Sequence, residues 1–204
     1  MQNDSEPYDI TLTPDMLLGA YAHGIFPMAE SAESPDLFWV DPELRGIIPL
    51  DGLHISKSLR KTLKKQDYEV RLDHDFDLVI SHCAAPMRGR EETWINPEIK
   101  KLYGALFKRG FCHTVEIWRD DQIIGGLYGI ALGGAFFGES MFHRATNGSK
   151  IALVELVNHL NAKGFVLLDT QFTTPHLETL GAIEITREQY HARLAEALQT
   201  RAEF

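Results

Sequence analysis

Two short apolar stretches carry polar groups where a buried strand has little use for them. In residues 133–142 (GGAFFGESMF) a single carboxylate, Glu139, stands between Gly138 and Ser140 among strand-forming side chains. An unpaired carboxylate is costly to bury, and glycines weaken a strand unless something must approach its backbone closely. In residues 167–172 (LLDTQF) Asp169 and Gln171 are two positions apart, so in a strand their side chains share a face. Asp169 can then orient and polarise the Gln171 amide, whose carbonyl oxygen accepts a hydrogen bond from an incoming N–H. An exposed Glu139 at a strand end, and an Asp169 that merely closes a turn, are the plainer readings of the same residues.

A third constellation is cationic. Lys57, Arg60, Lys61, Lys64 and Lys65 fall at i, i+3, i+4, i+7 and i+8, which is one face of a helix, with Leu59 and Leu63 turned towards the body. No acid interrupts the run before Asp67, whereas solvated helix faces ordinarily mix signs. The net charge of −9 excludes nucleic-acid binding by overall charge, so any phosphate contact must rest on this local patch.

The elements that must position these groups follow from caps and periodicity. Thr13-Pro14 opens a helix that stops at Gly24. Residues 28–42 read as a polar loop holding an aromatic insert, Phe38-Trp39, that is either a plug or a stacking surface. A strand over 45–50, a helix over 57–65 capped by Ser56, a strand over 68–72 and a helix over 75–84 follow. Asn96-Pro97 opens another helix, ended by Gly110. From His113 the pattern turns to three strands (113–119, 122–132, 135–142), a helix (150–163), a strand (165–168), a short helix, a strand (182–185) and a last helix. That order predicts an α+β fold on a mixed sheet over residues 91–204. A smaller, irregular α/β domain over 1–90 carries the basic helix, with the boundary near 85–95.

Composition removes other classes. With 44% hydrophobic and 24% charged residues the chain can build a core of its own and is not a disordered tail. Cys83 and Cys112 have no CxxC or Cys/His spacing, so neither a zinc site nor a disulfide framework is expected. The start MQNDSEPYDI is too polar for a secretory leader. The longest apolar run, 123–138, is too short and too glycine-rich to span a membrane, so a cytoplasmic protein without membrane association is expected.

Several stretches together carry a resemblance: GIFPM (24–28), FWVDPELRG (38–46), HISKSLRK (54–61), TWI (93–95), GGLYGIALGGAFFGESMF (125–142), SKIAL (149–153) and LLDTQF (167–172). In this order and spacing the chain resembles the leucyl/phenylalanyl-tRNA–protein transferases. The resemblance implies a C-terminal domain of the acetyltransferase-like (GNAT) type. It implies transfer of Leu or Phe, in some members Met, from aminoacyl-tRNA to proteins that begin with Arg or Lys, marking them for the N-degron pathway. It also implies catalysis at Asp169 and Gln171. Glu139 would meet the cationic acceptor, Phe136, Met141 and Leu168 would line a pocket for the Leu or Phe side chain, and Trp39 and Trp94 would stack the terminal adenine.

That reaction, aminolysis of an ester, needs no cofactor. An α-amine with a pKa near 7.7–8.0 is about one tenth neutral at pH 7, a cost of about 1 kcal/mol. Holding two reactants in attack geometry contributes about 7–11 kcal/mol. Positioning therefore outweighs base strength, and the absence of a recognisable Ser-His or Cys-His motif is no obstacle. The rival reading, an acyl-CoA N-acetyltransferase, would need residues 143–150 (HRATNGSK) to cradle a pyrophosphate at a helix start.

Overall fold

The structure, a computed structural model, describes residues 12–32, 34, 37–86 and 93–204. The polar N-terminal start and residues 87–92, where the expected domain boundary falls, lie outside the described residues.

The chain begins with α1 (Pro14–Ala22), whose first turn is capped by the Thr13 hydroxyl accepting from the Met16 N–H. Residues 28–42, expected as a loop, instead contribute to an antiparallel hairpin of β1 (Phe26–Ala29) and β2 (Leu37–Val40). Pro27 breaks the sequence signature of β1, and proline is tolerated because this is a two-stranded edge. After β3 (Leu44–Ile47) come α2 (Lys57–Lys65), capped by Ser56, and β4 (Glu69–Leu72). Then follow α3 (Phe76–Ala84), capped by Asp75, and α4 (Pro97–Lys108), capped by Asn96.

A meander of β5 (Cys112–Arg119), β6 (Gln122–Leu132) and β7 (Ala135–His143) follows. Its first turn places Asp120 and Asp121 at φ 49° and 55°, the left-handed pair that a two-residue hairpin demands. Helix α5 (Gly148–Lys163) then crosses over to β8 (Leu167–Gln171), which runs parallel to β7, as parallel neighbours require. A single turn, α6 (Pro175–Glu178), the strand β9 (Ile183–Thr186) and α7 (Arg187–Gln199) complete the chain.

Seven strands form one sheet in the order β4-β5-β6-β7-β8-β3-β9. The result is the expected α+β fold on a mixed sheet. Two strands from the first 90 residues belong to this sheet: β4 forms one edge, and β3 is inserted between β8 and β9. The sheet separates two apolar layers. Alternate residues of β6 show it: Tyr128 and Ile130 pack with α1, α3, α4 and α7, while Ile124 and Leu127 pack with α2 and α5. Among the described residues no helix is long and apolar enough to cross a membrane.

Two irregularities shape the centre of the sheet. The β6–β7 ladder pairs Tyr128 with Ser140 and Gly129 with Gly138, leaving Glu139 as an extra, bulged residue. The parallel β7–β8 ladder pairs Ala135 with Leu167, Phe136 with Leu168 and Phe137 with Asp169, and then the strands part. On the other side of β8 the chain presses against β3: a Cβ on Gly46 would lie 2.6 Å from the Phe172 carbonyl carbon and 2.8 Å from the Thr173 nitrogen. We expect Gly46→Ala to cost about 1–3 kcal/mol through overpacking against backbone, read as a lowered midpoint in thermal or urea unfolding.

Candidate active site

The site is built on a buried ion pair. Arg45 on β3 and Asp169 on β8 are 1% and 0% exposed and meet in a two-pronged pair, Nε to Oδ1 at 2.9 Å and Nη2 to Oδ2 at 2.7 Å. A buried charge pair holds only when its remaining groups are also satisfied, and here they are. The Tyr190 hydroxyl donates to Asp169 Oδ2 at 2.8 Å, and the Gln171 backbone N–H donates to Oδ1 at 2.8 Å. Arg45 Nη1 donates to the Gly24 carbonyl at 2.7 Å, and the guanidinium lies between the rings of Phe26 and Tyr190, 4.5 and 4.3 Å from their centroids. Burial and then the Asp169 charge push the Tyr190 phenol well above its usual range, so it remains a donor.

The Asp169–Gln171 bond bends the chain. Phe172 N–H donates to the Thr170 carbonyl at 2.6 Å across Gln171, which sits at φ 57°. A three-residue turn with positive φ is rare and strained for a side-chain-bearing residue, and such a residue persists where its surroundings over-determine it. The turn delivers the Gln171 side chain to Glu139, with Nε2 donating to Oε1 at 3.1 Å. The amide oxygen is then the group left to accept.

Glu139 is held from its other side by two buried tyrosines. Tyr21 on α1 donates to Oε1 at 2.6 Å, Tyr103 on α4 donates to Oε2 at 2.9 Å, and the two phenol oxygens also touch each other. Burial raises the Glu139 carboxyl to about 7, opposed by the two tyrosine hydrogen bonds; the Asp169 charge adds to the rise and Arg45 works against it. Burial and then Glu139 itself push both phenols far above their usual range.

Two cavities meet at this point. One, of about 100 Å³, is mainly apolar and is walled by Leu127, Met141, Leu153, Leu156, Leu168 and Leu177. The other, of about 350 Å³, opens between the β1 hairpin and β8 and is bordered by Phe26, Pro27, Met28, Trp94, Phe172 and Thr174. Glu139, Ser140, Met141, Thr170, Gln171 and Leu177 belong to both, because the strands β7 and β8 part there. The sheet thus opens at a carboxylate and an amide, between an apolar cavity and a wider one.

Known proteins are similar to this chain in sequence. The family described as leucyl/phenylalanyl-tRNA protein transferase matches residues 47–195, and the N-terminal domain described for the same family matches residues 11–43. The chain belongs to the leucyl/phenylalanyl-tRNA–protein transferase family. A relative of that name from Rhodospirillum rubrum is 55% identical over 195 residues, covering 96% of this chain and 92% of its own length. Two solved structures show a partial likeness. L-PGS from Bacillus licheniformis gives a TM-score of 0.42 at 13% identity, covering 80% of this chain and 54% of its own. The C-terminal domain of a putative lysylphosphatidylglycerol synthetase from Agrobacterium fabrum gives 0.44 at 11%, covering 81% and 62%.

Within this transferase the residues singled out from sequence divide. Glu139, Gln171, Met141, Leu168 and Trp94 line the cavities. Asp169 does not: it stands one layer behind, fully buried, and its carboxylate binds the Gln171 backbone rather than polarising the Gln171 side chain. Phe136 is 0% exposed and packs in the core on the α5 side, where it stacks on Phe204, and it lines neither of these two cavities. Trp39 is 42% exposed on β2, paired across the hairpin with the cavity residue Pro27, and is not itself in the cavity wall. Lys57, Arg60, Lys61, Lys64 and Lys65 are all exposed, while Leu59 is buried and joins the apolar layer of α5.

Sequence reasoning missed Arg45, Tyr21, Tyr103 and Tyr190. Only Arg45 left a trace, a cation inside the apolar run LRGII; the tyrosines sit where helical periodicity expects ordinary core. Glu139 holds its proton more tightly in the folded chain than a carboxyl does in the unfolded chain. Its contribution to stability is therefore greatest below the ordinary carboxylate range and is lost as pH rises through about 7. We expect the melting temperature of Glu139→Gln to decline less than that of the wild type between pH 5 and 8, measured by scanning calorimetry in matched buffers.

Proposed function

We propose that this transferase moves Leu or Phe, and Met as a lesser donor, from aminoacyl-tRNA to proteins that begin with Arg or Lys. In the cytoplasm the added residue marks the product for the N-degron pathway. The observation that carries this reading is the shared wall of the two cavities, where Glu139 and Gln171 face both. The leucine- and methionine-lined cavity suits an aliphatic or aromatic aminoacyl side chain, with Met141 adapting to either shape. The wider cavity takes the cationic chain start, whose charge Glu139 answers, and its Trp94 edge offers the terminal adenine a stacking face worth about 1–3 kcal/mol. Trp39, exposed on the neighbouring hairpin, extends that aromatic edge.

In the transfer step the neutral acceptor amine attacks the ester carbonyl carbon. A C–N bond forms, the bond to the ribose oxygen breaks, and an N–H proton ends on that oxygen. Gln171 accepts a hydrogen bond from the amine and aims its lone pair. Asp169 acts behind it by fixing the turn at Gln171. The cationic face of α2 holds tRNA phosphates: α2 packs on α5 through Leu59, and Asn147 at the start of α5 donates to Thr62. The acyl-CoA alternative is disfavoured because the start of α5 is occupied by protein. Gly148 and Ser149 are buried there, and a Cβ on Gly148 would lie 2.1 Å from the Ile124 carbonyl oxygen.

The deciding measurement is transfer of labelled Leu from charged tRNA to an Arg-initiated peptide. We expect transfer there and none to an Ala-initiated peptide; acetyl transfer from acetyl-CoA without tRNA would defeat the proposal. Reversing two charges in Lys61→Glu/Lys64→Glu should weaken aminoacyl-tRNA binding and flatten its log–log salt dependence by about 0.7–0.9 for each phosphate no longer neutralised. Turnover at saturation should persist, and an unchanged salt slope would reduce α2 to a solvated face.

A further inference from the structure

Glu139 and its two tyrosines form a closed triangle that the transfer step above leaves unused. Tyr21 touches Glu139 Oε1, Tyr103 touches Oε2, and the two phenol oxygens touch each other. Each phenol brings one proton and an ionised carboxylate brings none, so two protons serve three contacts. A third proton on the carboxyl turns every side of the triangle into a hydrogen bond: Glu139 to Tyr103, Tyr103 to Tyr21, Tyr21 back to Glu139. The phenols are fully buried and cannot take that proton from water, whereas Glu139 faces both cavities. From these contacts we infer that Glu139 is a catalytic base that receives a proton from the acceptor's ammonium group, with Tyr21 and Tyr103 as positioning residues that hold and complete the proton-bearing ring.

The inference rests on the reading of the site given under Proposed function and adds the route of a proton to it. The acceptor arrives mostly as an ammonium. One N–H proton passes to the Glu139 carboxylate, leaving a neutral amine beside the Gln171 carbonyl. The amine attacks the ester carbon, a second N–H proton ends on the departing ribose oxygen, and Glu139 later returns the first proton to solvent. Charge and protons balance without a further reactant. The groups facing Glu139 from each packed element are Tyr21 on α1, Tyr103 on α4, Gln171 and Asp169 on β8, Arg45 on β3, Tyr128 on β6 and Cys112 on β5. Asp169 and Arg45 neutralise one another in their own pair. Both tyrosines and Cys112 are pushed above their usual ranges by burial, which leaves Glu139 as the proton acceptor of the group.

The test combines the pH profile of kcat/KM with an infrared titration of the protonated-carboxyl band, on the full chain. Wild type should show an acid-side inflection that coincides with loss of that band. Glu139→Gln should lose the inflection and the band, keep its affinity for aminoacyl-tRNA, and fall in kcat about tenfold at pH 7, the factor by which neutral amine is scarce. Tyr21→Phe and Tyr103→Phe each withdraw one donor from the ionised carboxylate, so each should move the inflection and the band titration upward together. The ring is overturned if the inflection stays or moves down in both phenylalanine variants, or if Glu139→Gln retains it. A wild type that titrates as described but transfers nothing to an Arg-initiated peptide would sink the functional reading while leaving the ring in place.

Discussion

The Arg45–Asp169 pair is the interaction on which the rest of the site depends. A buried ion pair is weak evidence for stability, because its desolvation cost can exceed its attraction. Its value here is geometric. One carboxylate accepts from Arg45 twice, from Tyr190 and from the backbone of Gln171, joining β3, β8 and α7, while Arg45 reaches on to the Gly24 carbonyl just after α1. Removing any partner leaves charge or donors stranded in an apolar interior, so the arrangement is held as a unit. That unit ties β3, from the first quarter of the chain, into the middle of a sheet most of whose strands come from the second half.

From that anchor the site follows in two steps. The Asp169 carboxylate pins the Gln171 backbone in a left-handed turn, and the turn carries the amide to Glu139. The bulge in β7 and the early end of the β7–β8 ladder open the sheet at the same level. Backbone irregularity and charge placement thus coincide, so reactive groups stand at a gap between strands rather than on a flexible loop.

The sequence disclosed much of this and concealed some of it for identifiable reasons. Helix starts were legible because Thr13, Ser56, Asn96 and Thr186 cap as their residue types require. The meander was legible from its alternation and from Asp120-Asp121. Glu139 and the pair Asp169 and Gln171 stood out as polar groups in apolar strands, and the stretches around them carried the family resemblance. The contact between Asp169 and Gln171 was not legible in detail because two-residue spacing assumes an extended strand, and Gln171 leaves that conformation, so the carboxylate meets its backbone N–H. Phe136 shares a layer with its ladder partner Leu168 but lies two residues before Gly138, where the lining of β7 begins, so it packs in the core beside the cavity. Tyr21, Tyr103 and Tyr190 were invisible because a buried phenol and a core aromatic share the same periodicity.

The bulge at Glu139 has a consequence beyond this site. Drop that one residue and β7 would run on in register beside β6, with no carboxylate turned towards the gap. By this measure the step between an unbroken ladder and one that presents a carboxylate at the gap is a single inserted codon.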